Sequence, residues 1–329
     1  MVSIKDVANK AGVAISTVSK VLNHYPNISE STQKKVNEAI EELGFVPNMA
    51  ASMLSSKQPR RIALLINPYR ETQAVDEINM QYILGAINKA KELSLDIITV
   101  FFSMIQDMSL KEVSSYLKAQ NIVGLIICSM DENNTLLKEL IDTQEFKIVV
   151  IDAPMYNKAT SSVWIDNPKA QYEVAKKTAL ENDCESILYI AGKKERYITN
   201  SRLQGIEKLA KDEKMDLKVV YGDYSELKAR ELTLKYAKDW DIVACASDLM
   251  AIGAMKALVE MDIFRPVCGF DGIALMGYVG KQMNTVKQNF SKVANRAVEE
   301  LARLLNEEEG RNVVLDYELV RMRYEDIIC

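Results

Sequence analysis

The side chains that most often carry out covalent or metal chemistry, cysteine and histidine, are few in these 329 residues and poorly spaced for it. Cys128, Cys184, Cys245, Cys268 and Cys329 form no CxxC pair and are odd in number, a pattern of reduced thiols rather than of a zinc site or a disulfide framework. The one histidine, His24, falls in the first sixty residues, so the rest of the chain has no imidazole for general-base work or metal binding. No GxSxG, Walker loop or GxGxxG after an apolar run occurs, and neither an enzyme, a metal nor a cofactor is expected. What is left is hydrogen-bonding chemistry, carried by hydroxyls, arginines and carboxylates, which recognises molecules without transforming them.

Those groups need elements to position them. The length suggests a small domain plus a larger, two-lobed one. Apolar residues at 48% and charged residues at 26% are ordinary for a globular protein. No stretch reaches the roughly 20 apolar residues of a membrane span, and the start MVSIKDVANK has no basic-then-apolar signal, so a cytoplasmic location is expected. The net charge of -5 is unevenly spread: residues 1–61 carry eight Lys or Arg against five acids, +3, leaving -8 for the remainder. A basic segment on an acidic body suits a module that faces phosphates.

Within that segment Ser3 and Asp6 resemble a capping box opening a helix on Ile4, Val7, Ala8 and Ala11, which Gly12 ends. A second helix, about Ile15 to Leu22, buries Val18, Val21 and Leu22, and the short glycine turn between the two is that of a helix-turn-helix. Ser29 caps a third helix carrying Val36, Ile40 and Leu43, and Gly44 stops it. SSKQPRR then reads as a polar linker. From Ile62 onward apolar strands alternate with helices. The strands are 62–66, 96–101, 124–128 and 147–151, then 186–191, 217–222, 241–246 and 266–270. The helices run from about Gln81 to Leu93, Leu110 to Gln120, Thr135 to Asp142, Asn200 to Glu213, Ser225 to Tyr236 and Asp248 to Met261. Two such series make two Rossmann-like lobes of parallel sheet, and open α/β sheets bind ligands beyond the carboxyl ends of their strands.

IKDVANKAGVAISTVSKVLN, followed by ISESTQKKVNEAIEELGFVPNMAASML, resembles the start of the LacI/GalR repressor family. The resemblance implies that Ile15, Ser16 and Lys20 read bases in the major groove and that Thr17, Ser19 and Asn23 meet phosphates. It also implies that PNMAASML becomes a hinge helix on DNA. Asn48 and Ala51 would then lie at the minor groove, with Leu54 wedged into a central CG step, although core packing is the other reading of Leu54. Two departures bear on this: Ala14 replaces the usual capping serine, and Lys20 replaces the usual arginine, so the planar fork that reads guanine is lost. Ser52 replaces a further arginine.

Over residues 62–324, SSVWIDNPKA, TNSRLQGIEKL, ASDLMAIGAMKAL, CGFDGIAL and NTVKQNF resemble the family's periplasmic-binding-protein-like (type I) core. The resemblance places Asp152, Arg202, Tyr224, Ser247 and Asp271 at the effector, with Arg202 clamping hydroxyls and Asp271 accepting from them. A structural hinge for Asp152 and edge packing for Tyr224 are the other readings, and Asp248 reads as a helix N-cap. INPYRETQAVDEINMQYILGA lacks the ligand-facing aromatic of relatives unless Tyr69 replaces it, which favours a sugar or sugar phosphate over a purine. Lys193, Lys194 and Arg196 could attract an anion or form a solvated loop.

The expected organisation is a DNA-binding domain over 1–46, a hinge and linker over 47–61, and an effector and dimerisation domain over 62–329. Its N-lobe spans about 62–160 plus 290–320 and its C-lobe about 161–289 plus 321–329. The implied function is a transcriptional repressor of carbohydrate-use genes, a homodimer on a pseudo-palindromic double-stranded operator, coupled by linkage to a sugar effector. Control by a corepressor or protein partner is the alternative, with a solute-binding protein or enzyme on the same fold behind it.

Overall fold

The computed structural model describes residues 2–22, 28–45, 60–66, 77–279 and 283–321. The chain divides into two compact units, Met1–Pro59 and Arg60–Cys329.

The first unit holds helices Ile4–Ala11 (α1), Ile15–Leu22 (α2) and Glu30–Leu43 (α3). The boundaries of α1 and α3 have local causes. Ser3 accepts from the Asp6 N–H while Asp6 reaches back to the Ser3 backbone, and Gly12 closes α1 at φ 69°, a conformation that costs other residues about 1 kcal/mol or more. Ser29 accepts from Thr32 N–H at the start of α3. Val7, Ala8, Val18, Val21, Val36, Ala39 and Phe45 form the core. Ile40 and Leu43, expected inside, pack against it half-buried.

The second unit contains two six-stranded sheets. In the first, Arg61–Ile66 (β1), Asp96–Phe101 (β2), Ile122–Cys128 (β3), Lys147–Ile151 (β4), Thr160–Ile165 (β5) and Asn312–Leu315 (β11) lie in the order β11-β5-β4-β3-β1-β2. Its helices are Glu77–Glu92 (α4), Leu110–Ala119 (α5), Thr135–Asp142 (α6) and Phe290–Leu305 (α11). In the second, Ser186–Ala191 (β6), Asp216–Tyr221 (β7), Ile242–Cys245 (β8), Val267–Cys268 (β9), Asn284–Lys287 (β10) and Glu318–Arg321 (β12) lie in the order β12-β10-β9-β8-β6-β7. Asn167–Leu180 (α7), Tyr197–Glu213 (α8), Glu226–Tyr236 (α9) and Asp248–Glu260 (α10) flank it. Every pairing is parallel except β10 with β12. The chain passes between the lobes three times, at 165–167, 287–290 and 315–318.

Two expected lobe boundaries move. Thr160–Ile165 pairs with β4 and β11, so the first crossover falls after Ile165 and not at 160. Glu318–Arg321 pairs antiparallel with β10, so the last crossover precedes 318 and not 321. β5 and α7 escaped the periodicity reading because many of their buried positions are polar or small. Thr160, Ser161 and Ser162 are buried in β5, and Ser162 donates its hydroxyl to the Ala153 carbonyl at 2.6 Å. α7 buries Asn167, Gln171 and Thr178 among alanines. The strand expected over 266–270 shortens to Val267–Cys268, because Asp271 turns out at φ 118°.

Candidate functional site

In the first unit α2 divides cleanly. Val18 and Val21 face the core, while Ile15, Ser16 and Lys20 are exposed on the outer face and Thr17 and Ser19 are half-buried between them. Ala14 offers only its carbonyl to the helix start, which Thr17 and Val18 N–H groups approach at 2.9 and 3.2 Å. Asn23, Asn48, Ala51, Leu54 and Tyr69 lie outside the described residues.

In the second unit the five candidate positions all sit at carboxyl ends of strands or on the helices that follow. Arg202, in the second turn of α8, organises them and is only 1% exposed. Its Nε donates to Asn167 Oδ1 at 3.0 Å, Nη1 to the Ala246 carbonyl, and Nη2 to Asp271 Oδ1 at 3.2 Å. The guanidinium carbon lies 3.6 Å from the centroid of the Phe270 ring, so one face is covered and the plane is fixed. Asp271 is 6% exposed and accepts a second bond from Gln288 Nε2 at 3.1 Å. Burial pushes its carboxyl up to about 6 in spite of Arg202 beside it.

Asp152, 8% exposed after β4, accepts from the Tyr82 hydroxyl at 3.2 Å. Burial raises its pKa also, with Arg202 pulling the other way. Tyr224 bonds Thr199 Oγ1 at 2.8 Å, and its ring covers Gly192 so closely that a Cβ there would stand 2.1 Å from Cζ. Ser247 accepts from Met250 N–H at 3.3 Å and is the N-cap of α10, the role expected of Asp248. Asp248 instead braces the loop after Asp271, accepting from Gly272 and Ile273 N–H groups at 2.7 and 2.9 Å and from Thr285 Oγ1 at 2.6 Å. Tyr82, Asn167, Phe270 and Gln288 were not singled out in the sequence. Asn167, Phe270 and Gln288 stood inside the quoted family motifs and Tyr82 in the quoted loop after β1, but nothing marked them as partners of Arg202, Asp271 or Asp152.

The lobes meet on both sides of this cluster. Arg196 forms an ion pair with Asp131 at 2.8 Å, Glu132 N–H donates to the Glu195 carbonyl at 2.6 Å, and Asn133 Nδ2 donates to Glu195 Oε2 at 2.6 Å. On the other side Glu77, at the start of α4, accepts from Ala274 N–H at 3.0 Å. In the basic loop Arg196 is paired with Asp131, Lys194 Nζ lies 4.8 Å from the Tyr221 ring centroid, and Lys193 is exposed.

Residues 3–48 match the family described as bacterial regulatory proteins, lacI family, and residues 177–321 match a periplasmic binding protein-like domain. Residues 3–48 are a DNA-binding domain of the lacI family. The chain is a DNA-binding transcriptional regulator. The lacI-family relative MalR, an HTH-type transcriptional regulator from Clostridium butyricum, is 28% identical over 97% of this chain and 97% of its own length. The fold is that of the lac repressor dimer solved with operator and the anti-inducer ONPF, at TM-score 0.80 and 22% identity over 97% of this chain and 98% of that one. The complex of the transcriptional regulator CelR with cellobiose superposes at TM-score 0.71 and 25% identity, over 98% of this chain and 99% of that one. No helix among the described residues is long and apolar enough to cross a membrane.

Proposed function

We propose that this lacI-family regulator is a cytoplasmic homodimeric repressor of carbohydrate-use genes whose operator affinity is set by a sugar bound between its lobes. The observation that carries the ligand class is the Arg202–Asp271 pair with Asp152 beside it, buried where the lobes meet. Planar donors and carboxylate acceptors in one small site suit hydroxyls, each of which donates and accepts. The CelR–cellobiose complex supports the same class. Asp152, Arg202, Tyr224, Ser247 and Asp271 are the proposed contacts.

Ile15, Ser16 and Lys20 would read bases, with Thr17, Ser19 and Asn23 on phosphates and Asn48, Ala51 and Leu54 at a central CG step of a pseudo-palindromic operator. An exposed apolar stripe supports the homodimer: Met80, Leu84 and Ile87 on α4, beside Phe101 and Met104 at the edge strand β2. Coupling has a physical carrier. Asp152 holds Tyr82, whose ring meets Phe290 edge-on at 5.4 Å at the start of α11. At the other end of α11, about 24 Å away, Arg60 Nη1 donates to the Leu305 carbonyl at 2.6 Å and Asn306 Oδ1 at 3.3 Å. Arg60 is the residue that follows the N-terminal unit. A shift at the sugar can therefore reach the linker through one helix.

A thermal-shift screen against sugars, followed by operator titration with each hit, tests this reading. A sugar that stabilises the protein and changes operator affinity supports it, and the sign separates induction from corepression. A sugar panel without effect and a purine hit would refute it.

A further inference from the structure

A sugar and its phosphate ester differ by charge, and among the described residues the cleft holds few positive groups to receive an ester. Among the described residues at the strand ends two cations are buried, Arg196, which is paired with Asp131, and Arg202, three of whose N–H groups are already committed to Asn167, Ala246 and Asp271. Two of its five N–H groups remain for a ligand. The place where a phosphate would take Nη2 is held by the Asp271 carboxylate. Two acids stand against that one base. Asp152 Oδ1 and Asp271 Oδ2 accept no hydrogen bond among the described residues, while their other oxygens are taken by Tyr82, Arg202 and Gln288. Glu77 adds a third carboxylate at the seam. The remaining cations nearby are engaged or lie outward: Arg196 on Asp131, Lys194 on the Tyr221 ring, and Lys193 and Lys287 exposed.

We propose that the cleft selects an unphosphorylated saccharide, two of whose hydroxyls donate to Asp152 Oδ1 and Asp271 Oδ2, and rejects the phosphate ester of the same sugar; this rests on the sugar reading above. A hydroxyl donating to a carboxylate makes a charge-assisted bond, and its own oxygen can accept from the spare N–H groups of Arg202. A phosphate offers acceptors where acceptors already stand, in a site dry enough that salt screens the repulsion poorly. Burial holds both carboxyls above their ordinary range while Arg202 pulls each of them down.

The test is calorimetric titration of the full-length protein with matched pairs, among them glucose and glucose 6-phosphate, cellobiose and cellobiose 6-phosphate, and maltose and maltose 6′-phosphate, together with inorganic phosphate. At least one parent sugar is expected to bind, its ester at least about 100-fold more weakly, and inorganic phosphate no better than chloride of equal ionic strength. Asp152→Asn and Asp271→Asn should each lose about tenfold or more in affinity for the parent sugar and narrow the gap to the ester. An ester binding as tightly as its parent would overturn the proposal and leave the sugar reading standing. No response to any member of the panel would overturn both. An unchanged parent-to-ester gap in both variants would take the discrimination away from these two carboxylates. Each variant is first checked for native circular dichroism, and if one fails to fold the other carries the same comparison.

Discussion

Replacing Asp271 by Asn should stabilise the protein at neutral pH even though it removes one partner of a buried ion pair. Asp271 titrates at about 6 in the folded protein against an ordinary 3.8. A difference of about 2 pH units corresponds to about 3 kcal/mol. Below pH 3.8 both folded and unfolded chains hold the proton, and Asp271 is then as neutral as Asn, so the two proteins should be nearly equal in stability. Between pH 3.8 and about 6 the unfolded chain ionises while the folded one keeps its proton, and wild-type stability falls; above about 6 the loss is complete. Asp271→Asn has no such loss, so it should be about 3 kcal/mol the more stable at pH 7.5. The competing expectation is that a buried guanidinium deprived of its carboxylate costs about 3–5 kcal/mol. Arg202 would nevertheless keep Asn167, the Ala246 carbonyl, the new amide oxygen and the nearby charge of Asp152. Urea unfolding of both proteins at pH 4, 5, 6 and 7.5, at one protein concentration and without sugar, decides between them. Both tryptophans, Trp164 and Trp240, lie in the second unit, so their fluorescence follows that unit alone. A variant less stable than wild type at pH 7.5, or a difference that does not change with pH, would refute the reasoning.

Lys20→Ala should weaken binding to the cognate operator by about 1–3 kcal/mol and spare non-specific DNA, measured by titration of both duplexes at one salt concentration; equal losses would make Lys20 a phosphate contact. Arg60→Ala should leave sugar affinity and sugar-free operator affinity within about twofold of wild type while the change in operator affinity on adding sugar collapses towards unity, because it cuts α11 from the linker. Glu300, 1% exposed on α11, is gripped by Arg296, Arg303 and Arg311 at 2.6–3.2 Å. Burial pushes its carboxyl up, but the bonds from Arg311 and Arg303 more than offset this and hold it low. Glu300→Gln should therefore cost about 1.5–3 kcal/mol at pH 7 by urea unfolding, a difference that shrinks as pH falls through the carboxylate range.

The first and third N-terminal helices were legible because their boundaries carry local signals, Ser3 with Asp6 and Gly12, then Ser29 and Gly44, and the second from the apolar spacing of Val18, Val21 and Leu22 after the glycine turn. The strands of the body were legible where they are apolar throughout, as in KIVVI and SILYIA. TSSVWI was not, because a central strand buried on both faces can satisfy hydroxyls with neighbouring backbone, as Ser162 does with Ala153, and such satisfaction leaves no trace in periodicity. Within the site, Arg202 and Asp271 came from spacing in recognised motifs. Tyr82, 70 residues before Asp152 in the same lobe, and Gln288, 17 after Asp271 at the second crossover, meet their partners only once the chain is folded. Nor does sequence show how a chain shares out its caps. Ser247 and Asp248 are adjacent and both able to cap α10, and Asp248 was drawn off by the unpaired N–H groups of Gly272 and Ile273.

The cleft also collects backbone strain. Asp152, Tyr224 and Asp271, three of the five expected contacts, have φ of 62°, 59° and 118°, conformations that side-chain-bearing residues rarely adopt. Each costs on the order of 1–3 kcal/mol and persists only where surrounding bonds impose it. At Asp271 those bonds are visible: its N–H donates to the Val286 carbonyl, its own carbonyl accepts from Gln288 N–H, and Asp248 holds the two N–H groups that follow. That scaffold directs a carboxylate into the cleft in a charge state that burial disfavours. On the proposed reading a ligand hydroxyl donating to Asp271 relieves that burden, and reaching Asp152 as well requires the two lobes to be together. The ligand therefore distinguishes two states of the lobes by more than the contacts it makes, which is what a coupling free energy to a distant linker requires.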